Sequence, residues 1–263
     1  MAIASASTAF DEYSDRLLTR VASRDDVLGL VFLGSGADRD RLDEWSDHDF
    51  FLVVAEGAQE GLRTTLDWLP DHQSIVLAAR ETEHGLKVVH ADGHVLEFAV
   101  ATLAELATFS ANSWVVILDR GGVADTMGEI AARPKPGDTA DDGRDIRLFL
   151  TLLLIGTGRA RRGELLTAGE SVREYALGHL LSVWRRRLPT PDAPKLDNLD
   201  VRRRFELVYP DAEIASLLER DPESAARALL DLAERRLAPG WHEWPTDAVS
   251  AVRRRLRWDA PAP

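Results

Sequence analysis

Two aspartates separated by one residue follow a short polar segment of the chain. Asp47 and Asp49 stand immediately before the apolar run 50–54. Residues i and i+2 of a β-strand point to the same face, so a strand here would place both carboxylates on one side, with Cα atoms about 7 Å apart. A carboxylate pair of this kind can hold two Mg²⁺ ions roughly 3.5–4 Å apart. The spacing therefore predicts a divalent-metal site at the start of this strand.

A glycine-rich turn lies upstream of the aspartates. The apolar run 27–33 ends abruptly in Gly34-Ser35-Gly36. Such a turn offers free backbone N–H groups, and where a helix begins these groups favour an anion such as phosphate. The sequence thus pairs a predicted phosphate cradle with a predicted metal site.

The pattern of Gly34-Ser35, a polar spacer and Asp47-His48-Asp49 resembles the signature of the polymerase-β-like nucleotidyltransferase superfamily. Within it, the chain is most similar to the lincosamide and aminoglycoside antibiotic adenylyltransferases. His48 departs from the apolar residue that is usual between the two carboxylates. The resemblance implies ATP as the nucleotide donor, two Mg²⁺ ions on Asp47 and Asp49, and transfer of AMP to a hydroxyl of a small antibiotic with release of pyrophosphate.

Glu97 is the candidate third carboxylate. It lies between Leu96 and Phe98 in a predicted strand, where a charge is costly unless that face lines a cleft. The resemblance makes Glu97 either a third metal ligand or the general base that takes the proton from the acceptor hydroxyl. An exposed edge-strand glutamate is the alternative.

The resemblance also assigns residues that would bind the nucleotide and the acceptor. Gly34 and Ser35 would contact the triphosphate, and Ser46 would either reach it too or simply cap a turn. Lys195 would reach the triphosphate from the second half of the chain, or else be a solvated loop lysine. Glu164 would bind the acceptor, or else complement a helix dipole in the first turn.

Apolar periodicity predicts the elements that position these residues. We expect helices over 8–24, 58–69 and 103–109, and strands over 27–33, 46–54, 74–79, 86–91, 94–100 and 114–118. Asp92-Gly93 between two alternating runs predicts a β-hairpin. In its second arm Leu96 and Phe98 share one face, whereas Glu97 lies on the other.

The character of the sequence changes after a segment rich in proline, glycine and acidic residues, 133–143, which reads as a linker. Helical periodicity follows over 146–159, 165–188, 201–208, 211–218 and 222–237, with no strand pattern. We therefore predict an α+β fold. Residues 1–135 would form a catalytic domain with a small mixed nucleotidyltransferase sheet, and residues 136–263 a helical substrate-binding bundle.

Composition excludes several classes of function. The net charge of −12 and the pI near 5.1 argue against nucleic acid as a partner, because a nucleic-acid footprint needs a basic surface. With no cysteine, neither a disulfide nor a thiolate metal site is available. The longest apolar run, 148–155, is too short to cross a bilayer, and residues 1–10 show no signal-peptide pattern. We expect a cytoplasmic enzyme with no membrane partner.

Two other functions stay open on the same resemblance. The acceptor of the nucleotide would be a partner protein, as for minimal nucleotidyltransferase antitoxins, although those are usually far shorter chains. Alternatively the chain would be a non-catalytic nucleotide-binding member of the fold, which the retained carboxylates disfavour. In related enzymes a second subunit can complete the acceptor cleft, so a homodimer is also open.

Overall fold

The structure is a computed structural model that describes residues 2–134 and 141–258, with side chains from residue 7 onward. The chain divides into two compact units, Met1–Arg133 and Pro134–Pro263. The first unit contains a six-stranded sheet, whereas the described part of the second contains helices and no strand. The predicted α+β class is confirmed. Most of the predicted linker, residues 135–140, lies outside the described residues.

The first unit is built on six strands and five helices. The strands are β1 (Val27–Leu33), β2 (His48–Val54), β3 (Ile75–Arg80), β4 (Gly85–His90), β5 (Val95–Ala101) and β6 (Trp114–Asp119). The helices are α1 (Ala2–Ala22), α2 (Gly34–Ala37), α3 (Gln59–Thr64), α4 (Leu103–Leu106) and α5 (Val123–Ala132). The predicted helix over 58–69 is α-helical only in its first half, and α5 was not predicted.

The sheet has the strand order β3-β4-β5-β2-β1-β6. Neighbouring strands are antiparallel except β2 and β5, which run parallel. Side chains alternate between two apolar cores because successive strand residues face opposite sides. Phe50 and Leu52 of β2 pack with α1, and Phe51 and Val53 pack in the core that contains α5. The central strands of the mixed sheet are therefore covered on both faces, whereas the edge strand β3 is largely exposed.

The second unit is helical throughout its described part. Its α-helices are α6 (Asp142–Arg161), α7 (Leu165–Glu170), α8 (Leu177–Arg187), α9 (Phe205–Val208), α10 (Ile214–Leu218), α11 (Pro222–Leu237) and α12 (Thr246–Leu256). The residues Phe149, Leu180, Trp184 and Leu229 are buried in its core. The predicted helix over 201–208 is α-helical only in α9, and α12 was not predicted.

A π-helical segment, Ser171–Ala176, joins α7 to α8 within the predicted helix 165–188. It packs closely on α6, where a Cβ at Gly156 would stand 2.6 Å from Cγ2 of Val172. Only glycine fits this approach without a shift of the neighbouring side chain. Single π-helical turns of this kind often occur at functional sites.

None of the described helices combines the length and the apolar character that a membrane crossing needs.

Candidate active site

The turn after β1 brings Gly34 against the Asp49 side chain. Gly34 has a φ of +52°, a left-handed conformation that favours glycine. A Cβ at this position would stand 3.6 Å from Oδ2 of Asp49. The glycine of the predicted phosphate turn and one predicted metal ligand are therefore neighbours.

Asp49 and Glu97 are partners across the parallel pair of strands. In the register of β2 and β5, Asp49 lies opposite Glu97. Neighbouring strands lie about 4.8 Å apart and paired side chains share a face. Both residues are half-buried, on the side of the sheet opposite to Phe50 and Leu96. The structure thus brings together two of the three predicted carboxylates.

Asp47 precedes the strand that was expected to orient it. Because β2 begins at His48, strand geometry does not fix the direction of the Asp47 side chain. Asp47 lines a cavity of about 750 Å³ together with Trp45, His48 and His94. That Asp47 and Asp49 hold metal ions side by side stays a prediction.

The described carboxylates form an incomplete donor set for a metal ion. Within residues 2–134 and 141–258, no group of three or more His, Asp or Glu side chains is arranged to hold a metal ion. Mg²⁺, however, is usually bound by one or two carboxylates together with substrate phosphates and water. The pair Asp49 and Glu97 beside the Gly34 turn fits that mode of binding, and does not fit a closed all-protein metal cage.

Lys87 is a member of the site that the sequence did not reveal. It lies opposite Glu97 in the antiparallel pair β4 and β5, and its Nζ is 3.6 Å from Oε2 of Glu97 and 3.0 Å from Oε1 of Glu81. The hydrogen bond to Glu81 and the charge of Glu97 raise the pKa of Lys87. Glu97 therefore stands between a lysine on one strand and Asp49 on the other.

The backbone of the Gly34 turn is not as free as expected. The N–H of Gly34 donates to the carbonyl of Ser113 at 3.2 Å, and its carbonyl accepts from the guanidinium of Arg41 at 2.9 Å. The expectation of a free N–H at Gly34 is wrong, because the turn continues the pairing of β1 with the segment before β6. The phosphate contacts of Gly34 and Ser35 remain a prediction.

Ser46 takes part in a turn. Its Oγ accepts from the N–H of Asp43 at 3.0 Å and donates to Oδ1 of the same residue at 3.2 Å. Ser46 thus has the turn role considered for it, and its contact with the triphosphate stays a prediction.

His48 is buried on the other side of β2, where it packs and hydrogen-bonds as predicted. Its ring stacks on Phe10, with centroids 3.7 Å apart, and Nε2 lies 3.2 Å from the Phe10 carbonyl. A carbonyl only accepts, so Nε2 carries the proton and Nδ1 accepts from Nε2 of His94 at 2.8 Å. Burial, with a further contribution from His94, lowers the pKa of His48 to about 3. His48 is therefore neutral at physiological pH.

The two predicted contacts in the second unit lie in surface ion pairs. Nζ of Lys195 is 2.8 Å from Oδ1 of Asp192 in a 3₁₀ turn, and the lysine side chain is 69% exposed. Glu164, at the N-cap position of α7, accepts from Nε of Arg162 at 2.7 Å. That hydrogen bond lowers the pKa of Glu164. Their roles toward nucleotide and acceptor stay predictions.

Comparison with known proteins gives no family assignment. No protein-family model matches the sequence, and no curated protein matches it significantly. Among solved structures, an aminoglycoside 6-adenyltransferase from Bacillus subtilis is similar at 14% identity and a TM-score of 0.32, over 95% of this chain and 92% of that one. A nucleotidyltransferase-like protein from Exiguobacterium sibiricum 255-15 is similar at 15% identity and a TM-score of 0.33, over 94% and 80%. Neither similarity assigns a role to a residue of this chain.

Proposed function

We propose that this chain is a nucleotidyltransferase that moves AMP from ATP to a hydroxyl of a small antibiotic, a lincosamide or an aminoglycoside, and releases pyrophosphate. The observation that supports it is the placement of Asp49 against Gly34 and opposite Glu97. Two half-buried carboxylates beside a glycine turn suit a reaction in which charge on a triphosphate must be neutralised.

In this proposal Asp47 and Asp49 hold Mg²⁺, and bound Mg²⁺ would neutralise charge on the triphosphate and on the leaving pyrophosphate. Glu97 accepts the proton of the acceptor hydroxyl through a carboxylate oxygen. Lys87, 3.6 Å from that carboxylate, holds it in place by charge. Most of the catalysis is then positioning and charge neutralisation.

The remaining assignments complete the proposed binding of both substrates. Gly34, Ser35 and Ser46 contact the triphosphate, and Lys195 adds a positive charge to it. The exposed indole of Trp45, on the same cavity as Asp47, offers a face on which a nucleobase can stack. Residues 1–135 are the catalytic domain and residues 136–263 the acceptor domain, with Glu164 among the acceptor contacts.

The proposal is tested by measuring pyrophosphate release from ATP and Mg²⁺ with a lincosamide, an aminoglycoside, or no acceptor. Release with one drug class identifies the reaction and the acceptor class. Asp49→Asn should reduce the rate at least about 100-fold without changing the circular dichroism spectrum, because it removes a metal ligand but no core packing. Asp125→Asn, an exposed carboxylate at the start of α5, should leave the rate unchanged.

Three results would count against the proposal. Substantial turnover in Asp49→Asn would remove Asp49 from the metal site. Transfer of labelled nucleotide to a protein band, and not to a drug, would favour a protein acceptor. ATP binding without pyrophosphate release under any condition would favour a non-catalytic nucleotide-binding protein.

A further inference from the structure

The second unit contains a cavity of about 1080 Å³ that the proposed chemistry does not use. We refer to it as the α6–α8 cavity, since its walls are α6 and the helical segment 174–186, and residues 193–202 cover it. Leu148, Leu152 and Ile155 of α6 line it at helical spacing. Ile155 and Leu199 in this lining are 43% and 45% exposed. One part of the wall is therefore apolar and accessible.

A histidine held by a buried aspartate lies on the same cavity. Nδ1 of His179 is 3.0 Å from Oδ1 of Asp145, whose Oδ2 accepts from Arg186 at 2.7 Å. Asp145 is 6% exposed. A carboxylate only accepts, so the Nδ1 proton of His179 is fixed and the ring is oriented. No other described residue hydrogen-bonds to Nε2, which leaves this atom for a ligand.

Four arginines line the cavity, and they differ in their ion pairs. Arg186 pairs with Asp142 and Asp145, and Arg202 pairs with Asp200 and Glu174. In contrast, among the residues that the structure describes, no carboxylate oxygen lies within 4.0 Å of the guanidinium of Arg144 or Arg185, although the charge of Asp197 acts on Arg185. The guanidinium of Arg185 is half-buried and donates to the Asp197 carbonyl at 2.7 Å. Burial lowers the pKa of Arg185, which is the cost of holding this cation away from water.

The covering segment is held in position by its own hydrogen bonds. Oδ1 of Asp197 accepts from the N–H groups of Leu199 and Asp200, and its Oδ2 accepts from Arg204 at 3.1 Å. Nε of Arg204 donates to the Lys195 carbonyl at 2.6 Å. Asp197 itself is 4% exposed. Because these hydrogen bonds order the segment, ligand binding would not incur the entropy cost of ordering it.

We propose that the α6–α8 cavity binds a small organic anion, a phosphate monoester or a carboxylate, with an apolar body. The anionic group pairs with the guanidinium groups of Arg144 and Arg185. The apolar body lies along Leu148 and Leu152, and Nε2 of His179 hydrogen-bonds to a polar group of the ligand. This site lies wholly within the second unit and does not depend on the proposed nucleotidyl transfer.

The test is calorimetric titration of the full chain with four probes of similar size: phenyl phosphate, benzoate, phenol and benzylamine. Phenyl phosphate or benzoate should bind at least about tenfold more tightly than phenol and benzylamine, since charge-assisted hydrogen bonds supply the difference. Arg144→Gln should weaken the anion at least about tenfold. Arg147→Gln, an exposed arginine on the same helix that does not line the cavity, should leave the dissociation constant unchanged.

A second readout locates the anion. In ¹⁵N spectra of the histidine rings, binding of 4-hydroxybenzoate, whose hydroxyl can donate to Nε2, should shift the Nε2 signal of His179 and leave that of the exposed His242 in place. Equal binding of phenol, an equal effect of Arg147→Gln, or an unmoved His179 signal would each overturn the proposal. Anion binding that survives Arg144→Gln would place the anion at another site and would also overturn it.

Discussion

The burial of His48 makes a quantitative prediction about stability and pH. The ordinary pKa of histidine is 6.5, and the folded protein holds His48 at about 3. As pH falls through 6.5 the unfolded chain takes up a proton at this position, but the folded chain does not until about pH 3. The folded state therefore loses stability as pH falls. The His48 contribution to the free energy of unfolding should drop by about 2 kcal/mol between pH 7 and pH 5, and by about 5 kcal/mol once pH is below 3.

The assay compares the wild type with His48→Gln, which removes the titrating group and keeps a donor for the Phe10 carbonyl. Urea titrations at about pH 7 and about pH 5, followed by the amide NMR signals of β2, report on the first unit. The wild type should lose about 2 kcal/mol more than His48→Gln between the two pH values. His242→Gln, at an exposed histidine, should behave as the wild type. The same pH dependence in the wild type and His48→Gln, or a His48 ring that titrates near 6.5 in the folded protein, would refute the reasoning.

Two further predictions concern packing and buried charge. Asp145→Ala should destabilise the second unit by about 1–3 kcal/mol, because Arg186 loses its buried partner and keeps only Asp142, and His179 loses its acceptor; a change below about 1 kcal/mol in urea unfolding would contradict this. Gly29→Ala should destabilise the first unit by about 1–3 kcal/mol, since its Cβ would stand 2.6 Å from Cγ2 of Val123. Gly128→Ala, in the interior of α5 with no atom within 4 Å of the new Cβ, should instead stabilise by about 0.5–1 kcal/mol. A melting temperature of Gly29→Ala that does not fall would show that the approach of β1 to α5 is looser than described, and one of Gly128→Ala that does not rise would contradict the helix-propensity argument.

The pattern of apolar residues was sufficient to predict the six strands and the two faces of β5. In β5, Leu96 and Phe98 were expected on one face and Glu97 on the other, and the structure buries the first two in the core that contains α1. Because strand periodicity is local, five or six residues are enough to show it. The predicted neighbourhood of Gly34 and Asp49, in contrast, came from a resemblance and not from periodicity.

The exact number of residues in the hairpin loop could not be predicted from the sequence. Asp92-Gly93 predicts a two-residue turn, which would pair Lys87 with Phe98. The structure instead forms a hydrogen bond from the N–H of His90 to the carbonyl of His94 at 2.9 Å, so the loop has three residues and ends at Gly93 with a φ of +89°. This shift of one residue places Lys87 opposite Glu97. A register derived from a two-residue turn therefore does not place Lys87 beside Glu97.

Contacts between distant segments left no pattern in the sequence. His48 stacks on Phe10 of α1, and His179 of α8 hydrogen-bonds Asp145 of α6. Neither His48 nor His179 forms a recognisable pattern with its sequence neighbours, because the partner side chain comes from another helix. Such pairs follow from tertiary structure and not from local propensity.

The parallel pairing of β2 with β5 has a consequence for how the protein folds. The hairpin β4–β5 closes through a three-residue loop and can form early, since little chain entropy is lost. Asp49 and Glu97 become neighbours only when β5 pairs with β2, and β3 and β4 lie between these two strands in the sequence. The pairing is therefore a long-range contact, and such contacts form slowly. The candidate site thus does not exist in any partly folded form that lacks this pairing. A newly made chain would therefore acquire the candidate active site only at the step that pairs these two strands.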